Sequence, residues 1–143
     1  MDQTSGRVLC LDLGDARIGV AISDPDRRLA VPLGTVRTGA PDDLKAIAKL
    51  VREHEVTLVV VGLPLTMAGE WGTRARHAEG FAGVLRSFLG VPVVLHDERL
   101  STVEAERALR EAGASGRQRR RVVDRSAATV ILQSYLDVGS PPV

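Results

Sequence analysis

The sequence is poor in cysteine, in aromatic residues and in long apolar runs. Its 143 residues include one Cys, one Trp, one Tyr and two Phe. The single Cys10 excludes an internal disulfide and favours a cytoplasmic protein. So few aromatic side chains cannot build the stacking platforms that are typical of single-strand-binding proteins. No segment approaches the roughly 18 consecutive apolar residues of a membrane-spanning helix, so no membrane partner is expected.

Positive charge is unevenly distributed rather than in large excess. The net charge is only +1, which argues against indiscriminate binding of nucleic acid through overall charge. Four arginines nevertheless crowd one glycine-flanked loop: Arg117, Arg119, Arg120 and Arg121. Such a loop is either solvated surface or a contact with a phosphate backbone. The length, with 44% hydrophobic and 26% charged residues, predicts one soluble globular domain over residues 1–143.

Five segments predict β-strands. The apolar, β-branched runs Arg7–Leu13 and Ile18–Ser23 flank a short turn and predict a hairpin. Leu29–Val36 contains a proline and a glycine, which predicts an edge or bulged strand. Two continuous apolar runs predict parallel strands covered on both faces: Thr57–Val61 and Val91–His96.

Four amphipathic segments predict helices. They are Pro41–His54, Arg74–Leu89, Ser101–Ala112 and Val122–Asp137. The order of elements predicts a mixed α/β fold with a five-stranded sheet, three strands antiparallel and then two parallel. Helices are expected on both faces of this sheet.

Three acidic residues interrupt these apolar elements. Asp12 lies near the C-terminal end of the first strand, Glu98 follows the last strand, and Asp124 falls on the apolar stripe of the last predicted helix. Each alone has an ordinary explanation, as a turn residue, a surface charge or an acid in a helix's first turn. Together they indicate one site at the C-terminal edge of the sheet, with oxygen ligands that suit Mg²⁺ or Mn²⁺. Neighbouring Asp97 is expected to point the other way.

Four ordered motifs resemble a known family. They are Leu11–Ala21, Val61–Leu65, Asp97–Thr102 and the segment from Asp124–Ala128 to Leu132–Leu136. In order and spacing, from about Val8 to Leu136, they resemble the YqgF-type proteins, relatives of Holliday-junction resolvases. The resemblance implies an RNase H-like fold and a divalent-metal phosphodiesterase site. It also implies that Asp12, Glu98 and Asp124 are the catalytic residues and the ligands of Mg²⁺ or Mn²⁺.

The same resemblance implies a function and shows one departure. In that family the role is nuclease action in maturing the 5′ end of 16S ribosomal RNA, with resolution of branched DNA junctions as the alternative. Thr66 and Ala68 stand in the loop after Pro64 where the family commonly has Asn and Asp. The three acids are unaffected by these changes, which fall where the loop would contact substrate.

Arginines near these motifs predict contacts with the nucleic-acid backbone. Arg17 matches a basic position of the family, while Arg99 either orients a phosphate or pairs with a carboxylate. Arg74 and Arg76 open a predicted helix, where cations oppose the macrodipole, and this placement favours a function. The predicted nucleic-acid-binding set is Arg17, Arg74, Arg76, Arg99, Arg117, Arg119, Arg120 and Arg121.

Other functions remain open at this stage. The turn around Asp12 also resembles the phosphate-binding turn of actin-like ATPases and sugar kinases, which pair two such domains around a nucleotide. An RNA-binding ribosome-assembly module with a structural ion is a non-enzymatic alternative. Nucleophilic catalysis is disfavoured because Ser23 and Cys10 have no positioned base. The sequence does not choose between structured RNA and branched DNA as the partner, or between monomer and homodimer.

Overall fold

A computed structural model describes residues 5–101 and 126–138. The strands are β1 Arg7–Leu13, β2 Arg17–Ser23, β3 Ala30–Arg37, β4 Val56–Leu63 and β5 Val93–Asp97. The helices are α1 Asp42–Glu53, α2 Thr73–Phe88 and α3 Ala127–Val138. Residues 98–101 are helical where the first described range ends. The rest of the predicted helix Ser101–Ala112 lies outside the described residues.

The five strands form one sheet in the order β3-β2-β1-β4-β5. β1 pairs antiparallel with β2, and β2 with β3, whereas β4 pairs parallel with both β1 and β5. The predicted mixed sheet is therefore confirmed. β3 is an edge strand, and its register against β2 shifts between Val20 and Ala21, as the proline and glycine in its sequence indicated.

Strand β4 is longer than its apolar run predicted. The prediction ended at Val61, but Gly62 and Leu63 continue the ladder and pair with His96 and Asp97 of β5. A glycine inside a strand often marks a place where another group approaches the backbone closely. The two additional residues bring Gly62 to the edge of the sheet where the candidate site lies.

Alternate residues of the central strands enter two separate cores. One core, on the face covered by α1 and α2, includes Leu9, Leu11 and Val59. The other core, on the face covered by α3, includes Val8, Cys10 and Val60 together with Ala128, Ile131 and Leu132 of the helix. Because side chains alternate along a strand, the residues of these two cores show which face of the sheet their neighbours in the strand occupy. The two faces are called the α1/α2 face and the α3 face below.

Helix α3 begins later than its apolar pattern predicted. Ser126 is not helical, and its Oγ accepts a hydrogen bond from the backbone N–H of Thr129 at 3.1 Å. This bond is N-cap chemistry, which satisfies a first-turn donor from outside the helix. The predicted start at Val122 is therefore wrong. Asp124 lies outside the described residues, and the helical periodicity used to place it does not extend through Ser126.

The other two helices agree with prediction to within one residue at each end. α1 buries Ile47, Ala48 and Val51 along the predicted stripe. α2 packs through small side chains and one larger one, and its buried residues are Ala75, Ala78, Ala82 and Leu85. No helix within residues 5–101 and 126–138 is long and apolar enough to span a membrane.

Candidate active site

Asp12 lies at the C-terminal end of β1 on the α3 face. It follows Val8 and Cys10 in the alternation that places those two residues in the core beneath α3. Its antiparallel partner is Gly19. A Cβ atom at Gly19 would lie 3.7 Å from the Cβ atoms of both Asp12 and Ala128. These are ordinary van der Waals distances, and they show that α3 packs beside the strand positions of Asp12 and Gly19.

Glu98 reaches the same face from the other side of β4. It is the first residue after β5, and the Oγ of Ser101 donates a hydrogen bond to its carbonyl at 2.7 Å. A Cβ atom at Gly62 would lie 3.0 Å from Oε2 of Glu98. The carboxylate therefore lies over the end of β4, the strand between β5 and β1. Its location on this edge confirms the position predicted for Glu98.

The two carboxylates are close enough to influence each other's ionisation. Burial, and then the negative charge of Asp12, raises the pKa of Glu98 to about 7, although the charge of Arg74 acts in the opposite direction. Burial also raises the pKa of Asp12, again opposed by Arg74. Two partly buried acids with raised pKa values form a site that favours binding of positive charge.

A cleft of about 350 Å³ opens beside Glu98 and next to the end of β1. The β1–β2 turn at Gly14 and Asp15 lines one wall, and Thr73 and Arg74 of α2 line another, with Glu98 also at the surface. The turn is fixed because the N–H of Gly14 donates to the carbonyl of Arg17 at 2.9 Å. A Cβ at Gly14 would lie 2.5 Å from that oxygen, so only glycine fits there.

Asp97 does not line this cleft, and Arg99 engages its side chain. Its carboxylate binds Arg99 through Nη2 at 2.7 Å and through Nε at 3.1 Å. The hydrogen bond from Arg99 lowers the pKa of Asp97. Of the two roles that the sequence left open for Arg99, the structure shows the pairing with a carboxylate, and a phosphate contact by Arg99 stays a prediction.

Neither alternative nucleophile is activated. The Oγ of Ser23 accepts a hydrogen bond from the N–H of Val8 at 2.8 Å and donates to the carbonyl of Asp24 at 2.9 Å. Cys10 is fully buried, and burial, together with the charges of Asp12 and Glu98, raises the pKa of its thiol. A thiol without an ionised form is a poor nucleophile. The geometry therefore favours the carboxylates as the chemical groups of the site.

The remaining predicted site residues are placed as follows. Arg74 lies at the cleft, Arg76 is exposed farther along α2, and Arg17 is exposed at the start of β2. Outside the described residues lie Asp124, Arg117, Arg119, Arg120 and Arg121. Within residues 5–101 and 126–138, no group of three or more His, Cys, Asp or Glu side chains is placed to hold a metal ion. The described part of the site thus contributes two of the three predicted ligands.

Sequence reasoning missed the part that Gly62 plays in the site. Gly62 leaves the space in which the Glu98 carboxylate and the end of the Ile131 side chain lie. The available signal was a glycine inside an otherwise apolar strand, which often marks a close approach to the backbone.

Comparison with known proteins identifies the family. The sequence profile described as "RuvX: Holliday junction resolvase" matches residues 6–138. The chain belongs to the RuvX family. It is 53% identical to a protein of Anaeromyxobacter dehalogenans strain 2CP-C over 94% of this chain and 99% of that one. It is 46% identical to a Roseiflexus sp. strain RS-1 protein over 96% and 98% of the two chains. Both relatives carry the provisional name pre-16S rRNA nuclease.

Solved structures show the fold of this RuvX-family protein. Thermus thermophilus RuvC, in complex with a Holliday junction substrate, aligns with a TM-score of 0.56 at 16% identity over 91% of this chain and 92% of that one. RuvC solved alone gives 0.54 at 17% identity over 93% and 96%. These matches confirm the predicted RNase H-like fold. Membership of the RuvX family confirms the predicted enzyme class, a nuclease, whose substrate is nucleic acid.

Proposed function

We propose that this protein is a divalent-metal-dependent endonuclease that acts in 5′-end maturation of 16S pre-rRNA in the cytoplasm. The observation that carries the catalytic part is the convergence of Asp12 and Glu98 over the glycine backbone at the end of β4. The RNA substrate is supported by the provisional names of relatives that are 46% and 53% identical over nearly the whole chain.

The donor set fits Mg²⁺ or Mn²⁺. Asp12 and Glu98 offer oxygen ligands, which both ions prefer. Burial raises the pKa of both acids, and the negative charge of Asp12 adds to this effect at Glu98, so a bound cation would favour their ionised forms. We assign Asp12, Glu98 and Asp124 as the residues that would hold the ion. When bound, it supplies positive charge that stabilises the attacking and leaving oxygens of phosphodiester hydrolysis.

The residues around the carboxylates would bind and orient the substrate. Arg74 lines the cleft and lowers the pKa of both acids, so its guanidinium lies near the position of the scissile phosphate. An arginine fork matches the geometry of phosphate oxygens. The turn at Gly14 and Asp15 also lines the cleft and would contact the substrate backbone there. Arg76 and the Arg117–Arg121 run would add electrostatic contacts farther out.

Resolution of branched DNA is the second candidate. It is favoured by the description of the matching family as a Holliday junction resolvase. Symmetric cleavage of a four-way junction requires two active sites, so this candidate predicts a homodimer on the substrate. Cleavage of one RNA strand requires only a monomer.

The two substrates are separated by direct comparison. Wild-type protein is incubated with structured precursor 16S rRNA and with a four-way DNA junction, each with Mg²⁺, with Mn²⁺ and with chelator. We expect metal-dependent cleavage of the RNA that is lost in Asp12→Asn, Glu98→Gln and Asp124→Asn. Glu79→Gln is the matched control because Glu79 is an exposed acid on α2.

Each of the other outcomes rejects a named part of the proposal. Cleavage of the junction alone would reject the RNA substrate and favour the resolvase. Binding of RNA without metal-dependent cleavage would identify a ribosome-assembly module. Cleavage that survives all three substitutions would reject the assigned site.

A further inference from the structure

Two arginines face each other across the β2–β3 pair. Arg17 and Arg37 are direct partners in the antiparallel register, and both side chains are exposed. Side chains at directly opposed positions have Cβ atoms about 4.5–5.5 Å apart, and like charges there are destabilising. The free protein therefore maintains a local repulsion at the end of these two strands.

Both side chains lie on the α3 face, which is the face of the candidate site. Their sequence neighbours Ile18 and Val36 pack into the core on the α1/α2 face. Because side chains alternate along a strand, Arg17 and Arg37 point to the opposite face. Gly19, on the same face two residues along β2, pairs with Asp12.

The arginine pair lies at the same edge of the sheet as the carboxylates. Neighbouring strands are about 4.8 Å apart and two residues span about 6.7 Å along a strand, so the backbone of Arg17 lies roughly 8 Å from that of Asp12. Arg37 lies one strand farther out. Thr38, the residue after Arg37, lines the cleft and donates its Oγ1 hydrogen to the carbonyl of Gly14 at 2.9 Å. The backbone at Arg37 is therefore adjacent to the rim of the cleft, at the same edge of the sheet as Asp12.

No carboxylate of the described residues neutralises this pair. The ion pairs within residues 5–101 and 126–138 are Lys49–Glu53 and Arg99–Asp97. Neither Arg17 nor Arg37 makes a side-chain hydrogen bond in the same ranges, in contrast to Arg7, Arg27 and Arg86, which bond backbone carbonyls. Among the residues that the structure describes, the two guanidinium groups thus have no anionic partner.

We infer that Arg17 and Arg37 together bind a backbone phosphate of the substrate that lies on the β3 side of the scissile phosphate. This inference rests on the proposed nuclease function and adds Arg37 to its binding surface. The phosphate relieves the repulsion between the two cations, and each guanidinium can donate two hydrogen bonds to it. The nucleic-acid strand would run from Arg74 across Asp12 to Arg17 and Arg37. Since phosphates carry no sequence information, the contact positions the substrate without selecting bases.

The test compares Arg37→Gln with Arg28→Gln. Arg28 is also exposed, lies just before the opposite end of β3 and loses the same charge when substituted. Binding of a fluorescein-labelled precursor 16S rRNA fragment is measured by anisotropy over a salt series, with chelator present to prevent cleavage. We expect Arg37→Gln to weaken binding and to reduce the slope of log Kd against log salt by about one. Arg28→Gln should keep the wild-type slope.

Thermal unfolding of the same variants separates binding from a structural role. Relief of repulsion predicts that Arg37→Gln melts at the wild-type temperature or above it, whereas loss of a structural contact would lower the melting temperature. Arg37→Lys keeps the charge but not the fork, so it should keep the salt slope and still bind more weakly. A salt slope in Arg37→Gln equal to that of Arg28→Gln would overturn the inference, and so would a lower melting temperature.

Failure of this inference is distinguishable from failure of the proposed function. If the wild-type protein cleaves RNA in an Asp12-dependent way while Arg37→Gln binds like its control, only the phosphate contact is rejected. If the wild-type protein neither binds nor cleaves nucleic acid, both are rejected.

Discussion

Gly62 of β4 lies beneath the carboxylate of Glu98. A Cβ atom at Gly62 would lie 3.0 Å from Oε2 of Glu98 and 3.1 Å from Cδ1 of Ile131. Both distances are shorter than ordinary van der Waals contact, and the backbone of Gly62 does not adopt the left-handed conformation. The requirement for glycine is therefore steric, and it couples the end of the sheet to the position of a candidate metal ligand.

The first prediction concerns Gly62→Ala. The added methyl group should displace the Glu98 carboxylate and press on Ile131. We expect cleavage to fall by about a hundredfold, since small displacements of catalytic groups have effects of that size. The free energy of unfolding should fall by about 1–3 kcal/mol, as for other overpacked sites. Steady-state cleavage and urea unfolding measure the two effects.

Gly80→Ala is the matched control for this substitution. Gly80 lies within α2, and a Cβ there would meet nothing within 4 Å. The exchange should stabilise the helix by up to about 1 kcal/mol and leave cleavage unchanged. Equal activity of Gly62→Ala and Gly80→Ala would contradict the proposed role of Gly62.

The second prediction concerns the stability of Glu98→Gln. The folded-state pKa of Glu98 is about 7, above its ordinary value of 4.5. The folded protein therefore favours the protonated acid, and the resulting stability is fully present below about pH 4.5 and is lost as pH rises through about 7. With chelator present, Glu98→Gln should melt at a higher temperature than the wild type at about pH 8, with a smaller difference at about pH 5.

Added metal should reverse this difference in melting temperature between the wild type and Glu98→Gln. Mg²⁺ or Mn²⁺ binds the folded protein and raises the melting temperature of the wild type, whereas Glu98→Gln lacks a ligand and should gain little. A variant that is no more stable than the wild type at the higher pH in chelator would contradict the assigned burial and repulsion at Glu98.

The third prediction concerns the Asp97–Arg99 pair. Arg99 also donates from Nη1 to the carbonyl of Met67 at 3.5 Å, and a Cβ at Gly69 would lie 3.1 Å from the same nitrogen. The pair thus supports the loop between β4 and α2. Asp97→Asn and Arg99→Gln should each raise KM, and the double variant should behave like either single one, because the two residues act as a unit.

Metal binding gives the control for this pair. Asp97 is engaged with Arg99 and does not line the cleft, so Asp97→Asn should retain the rise in melting temperature with Mn²⁺. Loss of that rise would show that Asp97 is itself a metal ligand.

The fourth prediction concerns Arg74. Its positive charge lowers the pKa of both Asp12 and Glu98. Removal of this charge in Arg74→Gln should raise both pKa values and shift the acidic limb of the pH profile of kcat/KM to higher pH. Arg76→Gln removes the same charge two residues along α2 and should weaken binding without moving that limb. An acidic limb at the same pH in Arg74→Gln and Arg76→Gln would contradict an electrostatic role for Arg74.

The sequence predicted the strand faces well because alternation depends on neighbouring residues alone. The positions of Asp12 and Glu98 follow from strand period and strand end, and the structure places both on the α3 face at the C-terminal edge of the sheet. The start of α3 was mispredicted because apolar periodicity continues past Ser126, whereas the side chain of Ser126 forms the cap that sets the boundary. Local hydrogen-bonding chemistry decided that position.

Two structural relationships depend on how the strands are paired, and the sequence alone did not reveal them. Arg17 and Arg37 are twenty positions apart in the chain, and only the β2–β3 register makes them direct partners. Gly62 is inconspicuous until the carboxylate of Glu98 is seen above it. Asp124 remains a sequence-based prediction, supported by its match to the acidic position of the family motif.

The proposed nuclease function is tested most directly by incubating precursor 16S rRNA and Mg²⁺ with the wild-type protein or with Asp12→Asn. The ends of the products are then mapped. We predict that the wild type cuts to produce the mature 5′ end, and that Asp12→Asn binds the RNA but leaves it intact. Equal cleavage by both proteins would contradict the role of Asp12, and no cleavage by the wild type would contradict the proposed function.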